Sequence, residues 1–431
     1  IYDEPIPAAL PKLAALASRA DIPKKVLQRA TAAHHHLGNQ SNADALIAIA
    51  TNSNAPDSAR IESLTALRTW KTDDSRDIFL GKWWPSKTVR TDTQVRSALE
   101  AQIPTLLDDP KPSIRQAAIE TATALRSTSL PALLESILKK EGESGSVKAI
   151  ALRQTPSALS NKLPDLLVNA LAAKESELRE EACKLLTKLK ATQSISLMTN
   201  ILASGDIRQR QICYNNLLQM KSDNADALLE TEMARLIQGQ VPKGATLDLL
   251  ESATKRGTTA LKALLKDYDK TRKKDDDLAR FRECLEGGDP NAGRTVFREK
   301  DEAGCFRCHK HSGSGGDVGP ALDNLGASQD REYILRAILY PNATYAKGYE
   351  NVAVTLDDNS LVAGVVVDES QTTLKINLLG TQTTQDIPLG KIKRRDRIPS
   401  SMPEHLDNIL SRKELRDLVE FLATQAPRSD R

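Results

Sequence analysis

One segment recurs along the first half of the chain, and this repetition limits the folds that the chain can adopt. The four clearest copies are SIRQAAIETATAL, SVKAIALRQ, ELREEACKLLTKL and DIRQRQICYNNLL. Their aligned basic residues are Arg115, Lys148, Arg179 and Arg208, so successive copies lie 33, 31 and 29 residues apart. Apolar residues in each copy follow the spacing of one helix face, and another helical pattern precedes each copy. Paired helices at this period predict an α-solenoid, in which each repeat packs on its neighbours.

The length of 431 residues exceeds that of one ordinary core and indicates two or three units. We predict a solenoid of HEAT or armadillo type over residues 1–266. Residues 267–290 alternate in charge and end in Gly-Gly-Asp-Pro, which predicts a charged helical linker over residues 267–287 before a new domain. That domain would cover residues 288–431, and the fold as a whole is expected to be mainly α.

The last third of the chain changes from helical patterns to strand patterns and back. NAGRTVFRE and SQDREYILRAILYP predict two helices, the second ended by Pro341. NVAVTL, LVAGVVV and TTLKINLL then predict a small antiparallel β insert of about four strands over residues 350–398, closing near KIKRRDRI. Ser411 with Glu414 forms a capping box at the start of a final amphipathic helix.

Composition excludes several classes of function. The 60 basic and 57 acidic residues give a net charge of +3, too small and too mixed to indicate nucleic-acid binding. No apolar run approaches the roughly 18 residues that a membrane span needs. No Ser/His/Asp set, phosphate loop or carboxylate pair stands in a recognisable context, so we expect no catalytic site on this chain.

Most cysteines and histidines have ordinary structural explanations. Cys183, Cys213 and Cys284 fall beside apolar helix faces, which predicts buried packing thiols. The run HHH, His34–His36, is predicted to be a solvated helix end, because consecutive helical residues point in different directions. KWWP, Lys82–Pro85, is predicted to form a packed loop between helices.

The segment GCFRCHKHSG is different, since Cys305, Cys308 and His309 form C-x-x-C-H. Two thiols one helical turn apart can each form a thioether with one vinyl group of a haem, and the adjacent imidazole then lies over the iron. A structural zinc site would need further ligands, for which only His311 and His405 are close in sequence. A thioredoxin-like dithiol would need a βαβ context that is absent here. The spacing therefore favours a covalently bound haem.

A haem iron with one histidine ligand has an open sixth coordination position unless a second residue binds it. His311 follows His309 too closely in sequence to pass round the edge of a haem. Met402 stands in PSSMPEH, where Pro403 biases it toward an extended loop that can present its side chain. Thioether and imidazole are the usual choices, so Met402 is the candidate, with His405 as its rival.

At this point the residues resemble a known family. The helix with Gly293 and Phe297, the C-x-x-C-H motif, GPAL, Met-Pro and the C-terminal LVEFL helix are similar to a class I cytochrome c. CFRCHKHSGSGGDVGPALDNLG, LYPNATYAKGY and the β insert resemble, more narrowly, the haem-binding module of Planctomycetes and Verrucomicrobia, over residues 288–431. HEAT-like repeats often precede that module, and a β-propeller resembling quinone-dependent sugar dehydrogenases often precedes the repeats.

The resemblance implies a set of roles for residues of this chain. It implies thioethers at Cys305 and Cys308, and axial ligation of one haem c iron by His309 and Met402. The carbonyl of Pro320 would accept the Nδ1 proton of His309, and Gly293 and Phe297 would pack on the helix that bears Phe421. The β insert departs from the usual pattern, because it separates the haem motif from Met402.

These observations lead to an electron-transfer cytochrome as the expected function, with a redox partner protein or a fused dehydrogenase domain as electron donor. The solenoid would be a surface for protein docking. Two alternatives remain open, a haem enzyme or gas sensor with an open distal face, and a scaffold with a structural metal site. Haem attachment implies export to a bacterial periplasm or its equivalent. The chain begins at Ile1 without a leader, so we expect a signal or upstream region to be missing from it.

Overall fold

The computed structural model describes residues 6–19, 22–71, 76, 81, 83–84, 88–316, 318–343, 345–346, 348–378 and 383–425. It is mainly helical with a small antiparallel sheet, as the sequence predicts. The chain divides into two compact units, Ile1–Leu202 and Ala203–Arg431. The division falls inside the segment predicted to be solenoid, and the predicted domain boundaries stay predictions.

Short helices build the first unit, as expected for helical repeats. They are α1 (Leu10–Ala14), α2 (Lys24–Leu37), α3 (Gln40–Thr51), α4 (Asp57–Arg68), α5 (Asp92–Glu100), α6 (Ile103–Leu107), α7 (Pro112–Ala124), α8 (Leu130–Lys139), α9 (Gly145–Ala158), α10 (Leu163–Leu171), α11 (Ser176–Leu185) and α12 (Ala191–Ser204), which contains the division. α4, α7, α9 and α11 contact one another in succession, while α6, α8 and α10 each contact the helix that follows. Helix pairs therefore stack in chain order.

Two of the aligned basic residues make ion pairs from one repeat to the next. Arg115 binds Glu143 at 2.6 Å and Lys148 binds Glu175 at 2.7 Å. Arg179 instead donates to the carbonyl of Lys174 at 2.7 Å, in the turn before its own helix. The recurrence seen in the sequence thus corresponds to a repeated ion pair at Arg115 and Lys148, and to a contact within the repeat at Arg179.

The prediction that His34–His36 form a solvated helix end is wrong. His34 and His35 are 8% and 5% exposed, because α1, α3 and α4 all pack on α2. His35 Nε2 lies 3.2 Å from the carbonyl oxygen of Thr69. Nη1 of Arg90 lies 2.9 Å from both ring nitrogens of His35 and 3.0 Å from its carbonyl oxygen.

The run KWWP is described only in part. Trp84 packs against the small core of α1 and α2, and its ring centroid lies 4.1 Å from that of His36. Trp83 is 71% exposed, so only one of the two tryptophans packs as predicted. Lys82 and Pro85 lie outside the described residues.

Buried histidines make the first unit sensitive to acid. Burial, and after it the charge of Arg90, lower the pKa of His35 to about 3, and burial lowers the pKa of His34 as well. Unfolded histidine titrates near pH 6.5, so below that pH the unfolded chain binds more protons than the folded one and stability falls. Between pH 7 and pH 5 the His35 contribution amounts to about 2 kcal/mol of unfolding free energy.

We therefore predict that His35→Gln, whose amide can still donate to Thr69, loses less stability than the wild type between pH 7 and pH 5. Urea unfolding at the two pH values measures the difference. The exposed histidine variant His405→Asn serves as control and should retain the wild-type pH dependence. An unchanged pH dependence in His35→Gln would show that His35 is not the group that titrates.

The second unit begins with two further helix pairs and continues into the C-terminal module. Its helices are α13 (Ile207–Gln219), α14 (Asp223–Ile237), α15 (Lys243–Arg256), α16 (Thr259–Lys270), α17 (Pro290–Glu299), α18 (Cys305–Cys308), α19 (Leu325–Ser328), α20 (Arg331–Leu339) and α21 (Arg412–Ala423). α17 covers the segment NAGRTVFRE that predicts it, and α21 begins after the predicted capping box of Ser411 and Glu414. Cys183, Cys213 and Cys284 are all buried, which confirms their prediction.

The predicted helical linker over residues 267–287 is wrong beyond Lys270, where α16 ends. Residues 271–287 form turns and one 3-10 turn, Arg282–Cys284. Leu278 and Cys284 are fully buried in the core that also contains Phe297. Asp276 accepts from the amide of Leu278 at 3.0 Å, which stabilises a turn where charge patterning alone favoured a helix. The segment is therefore part of the module's core.

The helices α13 and α15 contact the C-terminal module, and Leu247 of α15 belongs to the same core as Phe297. Gly287 lies against the backbone of Gly244, and Gln211 donates to both carbonyls, at 2.7 and 2.8 Å. Arg416 of α21 binds Asp248 of α15 in an ion pair whose members are 4% and 2% exposed. Breaking such a buried pair would leave a charge without its partner, so these contacts join α15 firmly to α21.

A five-stranded antiparallel sheet is inserted between α20 and α21. Two residues each form β1 (Lys310–His311) and β2 (Ser314–Gly315), and the insert comprises β3 (Glu350–Leu356), β4 (Leu361–Glu369), β5 (Thr373–Leu378), β6 (Thr384–Pro388) and β7 (Ile392–Arg397). The order in the larger sheet is β6-β5-β4-β3-β7. The prediction of about four strands missed β6, where only Ile387 is buried and the apolar alternation is too weak to recognise.

No helix in the described part of the chain combines the length and the apolar character that crossing a bilayer requires.

Candidate functional site

The C-x-x-C-H segment folds as a single helical turn followed by extended chain. Gly304 stands before α18 at a φ of 63°, in the left-handed region that favours glycine. Cys305 and Cys308 begin and end the turn, and His309 leaves it in extended conformation. Both thiols and the imidazole are partly buried. The two sulfur-bearing residues therefore lie one helical turn apart, as the spacing predicts.

The orientation of His309 is set by a hydrogen bond to the backbone. Nδ1 lies 2.8 Å from the carbonyl oxygen of Pro320, which confirms the expected contact. Because a carbonyl can only accept, Nδ1 carries the proton and Nε2 keeps its lone pair. Burial lowers the pKa of His309 more than this hydrogen bond raises it, which favours the neutral form of the ring. A neutral imidazole with a free Nε2 is the form that binds a metal ion.

The loop after the motif is shaped around the imidazole. A methyl group on Gly319 would lie 2.5 Å from Cε1 and 2.8 Å from Nδ1 of His309, so only glycine fits against this ring. The amide of Gly319 donates to the carbonyl of Cys308 at 2.8 Å, and that of Leu322 donates to Lys310 at 3.0 Å. These bonds hold Pro320 where its carbonyl oxygen accepts the hydrogen bond from Nδ1 of His309.

Every residue proposed for the site from the sequence lines one pocket. Cys305, Cys308, His309, Pro320 and Met402 all border it. The remaining wall is mostly apolar and comes from α20, α21, the segment before the sheet and the sheet itself: Leu322, Leu325, Tyr333, Ile334, Ala337, Ile338, Tyr345, Tyr349, Val365, Leu406 and Leu422 are among its members. No Asp, Glu, Lys or Arg of the described residues lines the pocket.

Met402 borders the pocket and stands in a loop that follows the β insert in sequence. Its side chain is partly buried and packs against the core that contains Phe297 and Phe421. The amide of Met402 donates to the hydroxyl of Ser400 at 3.1 Å. The insert therefore separates Met402 from the C-x-x-C-H motif in sequence, although both border the same pocket.

The rival ligands lie elsewhere. His405 is exposed, has a φ of 63° and does not border the pocket. His311 is 5% exposed, and its Nε2 lies 2.9 Å from Gln425 Oε1 while its ring lies 5.0 Å from that of Phe421. Across the described residues, no group of three or more His, Cys, Asp and Glu side chains is placed to hold a metal ion.

The basic run of β7 is largely engaged within the sheet. Arg395 binds Glu369 at 2.9 Å and Arg397 binds Glu350 at 2.7 Å. The guanidinium of Arg397 also lies 5.6 Å from the ring centroid of Tyr345, which borders the pocket. Pairing with the sheet's own carboxylates is thus the main role visible for these arginines.

Sequence reasoning assigned no site role to several residues that border the pocket. Asn351 and Val365 lie in strands that the pattern predicted only as an insert, and Tyr345 and Tyr349 lie in LYPNATYAKGY, which entered only through the resemblance. The spacing of apolar residues identifies a strand but not the cavity that one of its faces borders.

No family model and no curated protein matches the chain. Among solved structures, the complex of CpcE and CpcF of phycocyanin lyase from Nostoc sp. PCC7120 is similar at 14% sequence identity, covering 62% of this chain and 96% of that one, with a TM-score of 0.31. A similarity at this TM-score supports no inference about this protein.

We predict that Gly319→Ala displaces the His309 ring, because the added methyl overlaps it. The hydrogen bond from Nδ1 to Pro320 should be lost and stability should fall by about 1–3 kcal/mol. Thermal unfolding and NMR of the imidazole nitrogens measure the two effects.

Gly390→Ala is the matched control, because a methyl there meets no atom within 4 Å. Unchanged His309 nitrogen signals in Gly319→Ala would contradict the proposed packing of glycine against the ring.

Proposed function

We propose that this chain carries one covalently attached haem c and transfers electrons. Cys305 and Cys308 would form the two thioethers, and His309 and Met402 would be the axial ligands. The observation that carries the proposal is that both thiols, an imidazole with a free Nε2 and a thioether border one apolar pocket. An electron carrier needs this donor set and no further chemical group.

The residues of the pocket fit this cofactor. Its apolar wall suits a large planar macrocycle, and the described lining contains no charged side chain that would have to be buried beneath it. Pro320 holds His309 in the tautomer that leaves Nε2 free. Gly319 leaves room for the imidazole beside the loop. The contacts with Pro320 and Gly319 fix the orientation of His309, and a covalently attached haem requires a ligand in a fixed orientation.

When bound, the haem would supply a one-electron couple, and two protein ligands on its iron would leave no position for a substrate. His309, made more basic by its bond to Pro320, would fix one face. Met402 would cover the other face and raise the reduction potential, because a thioether is a weak donor. The arrangement favours electron exchange over catalysis.

The finer assignments belong to the same proposal. Residues 288–431 would form a cytochrome c-like module with a β insert, and the stacked helix pairs before it a HEAT-like solenoid that docks or spaces a protein partner. Electrons would come from a redox partner protein or a fused dehydrogenase domain. Haem attachment would place the mature protein in the periplasm or another exported compartment.

We predict that the protein matured with haem shows reduced bands that carbon monoxide does not shift, because Met402 occupies the sixth position. Met402→Ala should open that position and bind the gas. Visible spectra of the reduced protein, with and without carbon monoxide, measure both. His405→Asn is the control and should behave as the wild type.

Bands that shift in the wild type would contradict methionine ligation and favour a haem enzyme or gas sensor with an open distal face. Shifts in His405→Asn together with none in Met402→Ala would make His405 the ligand. Absence of any haem band would contradict the proposal and favour a scaffold with a structural metal site.

A further inference from the structure

Met402 stands in a loop, Pro399–Pro403, that has no regular secondary structure. A loop of this kind moves unless polar contacts fix it, so the position of a ligand on it depends on the residues that hold the loop. We call these five residues the Met402 loop.

The first holding contact comes from the sheet. Asn351 of β3 is 4% exposed, and its Nδ2 donates to the carbonyl of Pro399 at 2.9 Å and lies 3.4 Å from the hydroxyl of Ser401. The backbone of Asn351 also accepts from the amide of Ile398 at 3.1 Å. One buried residue therefore binds Ile398, Pro399 and Ser401, which all follow directly after β7 ends at Arg397.

The second contact comes from the segment between α20 and the sheet. Asn342 Oδ1 accepts from the amide of Ser400 at 2.7 Å, and Asn342 Nδ2 donates to Glu404. The hydroxyl of Tyr345 lies 3.2 Å from the same Asn342 Oδ1, which fixes the orientation of the amide group. Asn342 therefore binds residues on either side of Met402.

The sheet supplies a rigid base for these contacts. β3 carries Asn351, β7 leads into the Met402 loop, and the two strands are hydrogen-bonded neighbours. The entry of the loop and the residue that holds it thus belong to adjacent strands of one sheet. Asn351 itself borders the pocket.

We propose that Asn351 and Asn342 are positioning residues that fix the Met402 loop over the pocket, so that the β insert is a working part of the site. This inference rests on the proposed function, in which Met402 is the sixth ligand. Asn351 acts through donation from Nδ2, since Pro399 and Ser401 present oxygen atoms to it.

The test compares Asn351→Ala, Asn351→Asp and Asn342→Ala with the wild type. Asn351→Asp preserves the shape of the side chain but removes its donor. Asn377→Ala is the matched control, because Asn377 lies in β5 of the same sheet, its Oδ1 has no hydrogen-bond partner and it does not border the pocket.

Two measurements are made on the protein as isolated. Amide hydrogen exchange at Ser400 and Met402 should be about tenfold faster in both Asn351 variants and in Asn342→Ala, and unchanged in Asn377→Ala. Carbon monoxide should shift the bands of the reduced haem in these variants and leave those of the wild type and Asn377→Ala unshifted, while the thermal midpoint reports overall folding.

Wild-type exchange and wild-type insensitivity to the gas in the Asn351 and Asn342 variants would overturn the inference, provided that Met402→Ala binds the gas. Failure of Met402→Ala to bind the gas would count against the proposed function instead. Amide exchange then still decides whether these asparagines hold the loop, because it can be measured whether or not Met402 binds the iron.

Discussion

The close approach of α17 and α21 at Gly293 is the contact on which the C-terminal module depends. A methyl group at Gly293 would overlap the carbonyl of Asp417 and the side chain of Phe421, so the two helices meet backbone to backbone. Phe297, one turn further along α17, then packs on Phe421 with ring centroids 5.7 Å apart. Because α18 follows α17 within a few residues, this crossing determines where both thiols enter the pocket. Leu422 of α21 borders the same pocket.

His309 and Met402 are held in different ways. Around His309, backbone amides and carbonyls of a short loop form the hydrogen bonds, so the geometry depends on a few residues adjacent in sequence. On the Met402 side the ligand candidate depends on side chains of a strand and of the segment before it, which are distant in sequence. Polar contacts support both residues, and no charged side chain of the described residues lines the pocket. If the site transfers electrons as we propose, rigidly held ligands and an apolar surrounding would limit the structural rearrangement that accompanies each electron transfer.

Features that depend on local sequence could be predicted, and those that depend on tertiary packing could not. The turn from Cys305 to Cys308, the capping box at Ser411 and the repeated helices follow from spacing within a few residues. The burial of His34 and His35 escaped prediction because three other helices pack on α2, and the end of α16 at Lys270 because turns and core packing override charge patterning. Met402 was selected by elimination, and its place in the pocket required the fold. Asn351 gave no signal, since one asparagine in a strand pattern has no distinctive spacing.

The central claim is that one haem is attached at Cys305 and Cys308, and the mass of the denatured mature protein tests it most directly. The protein is produced in a host that has haem-attachment machinery, denatured, treated with an alkylating reagent and weighed intact. The account predicts a mass increased by one haem, with three of the five cysteines alkylated. A chain without added haem mass and with all five thiols alkylated would contradict it.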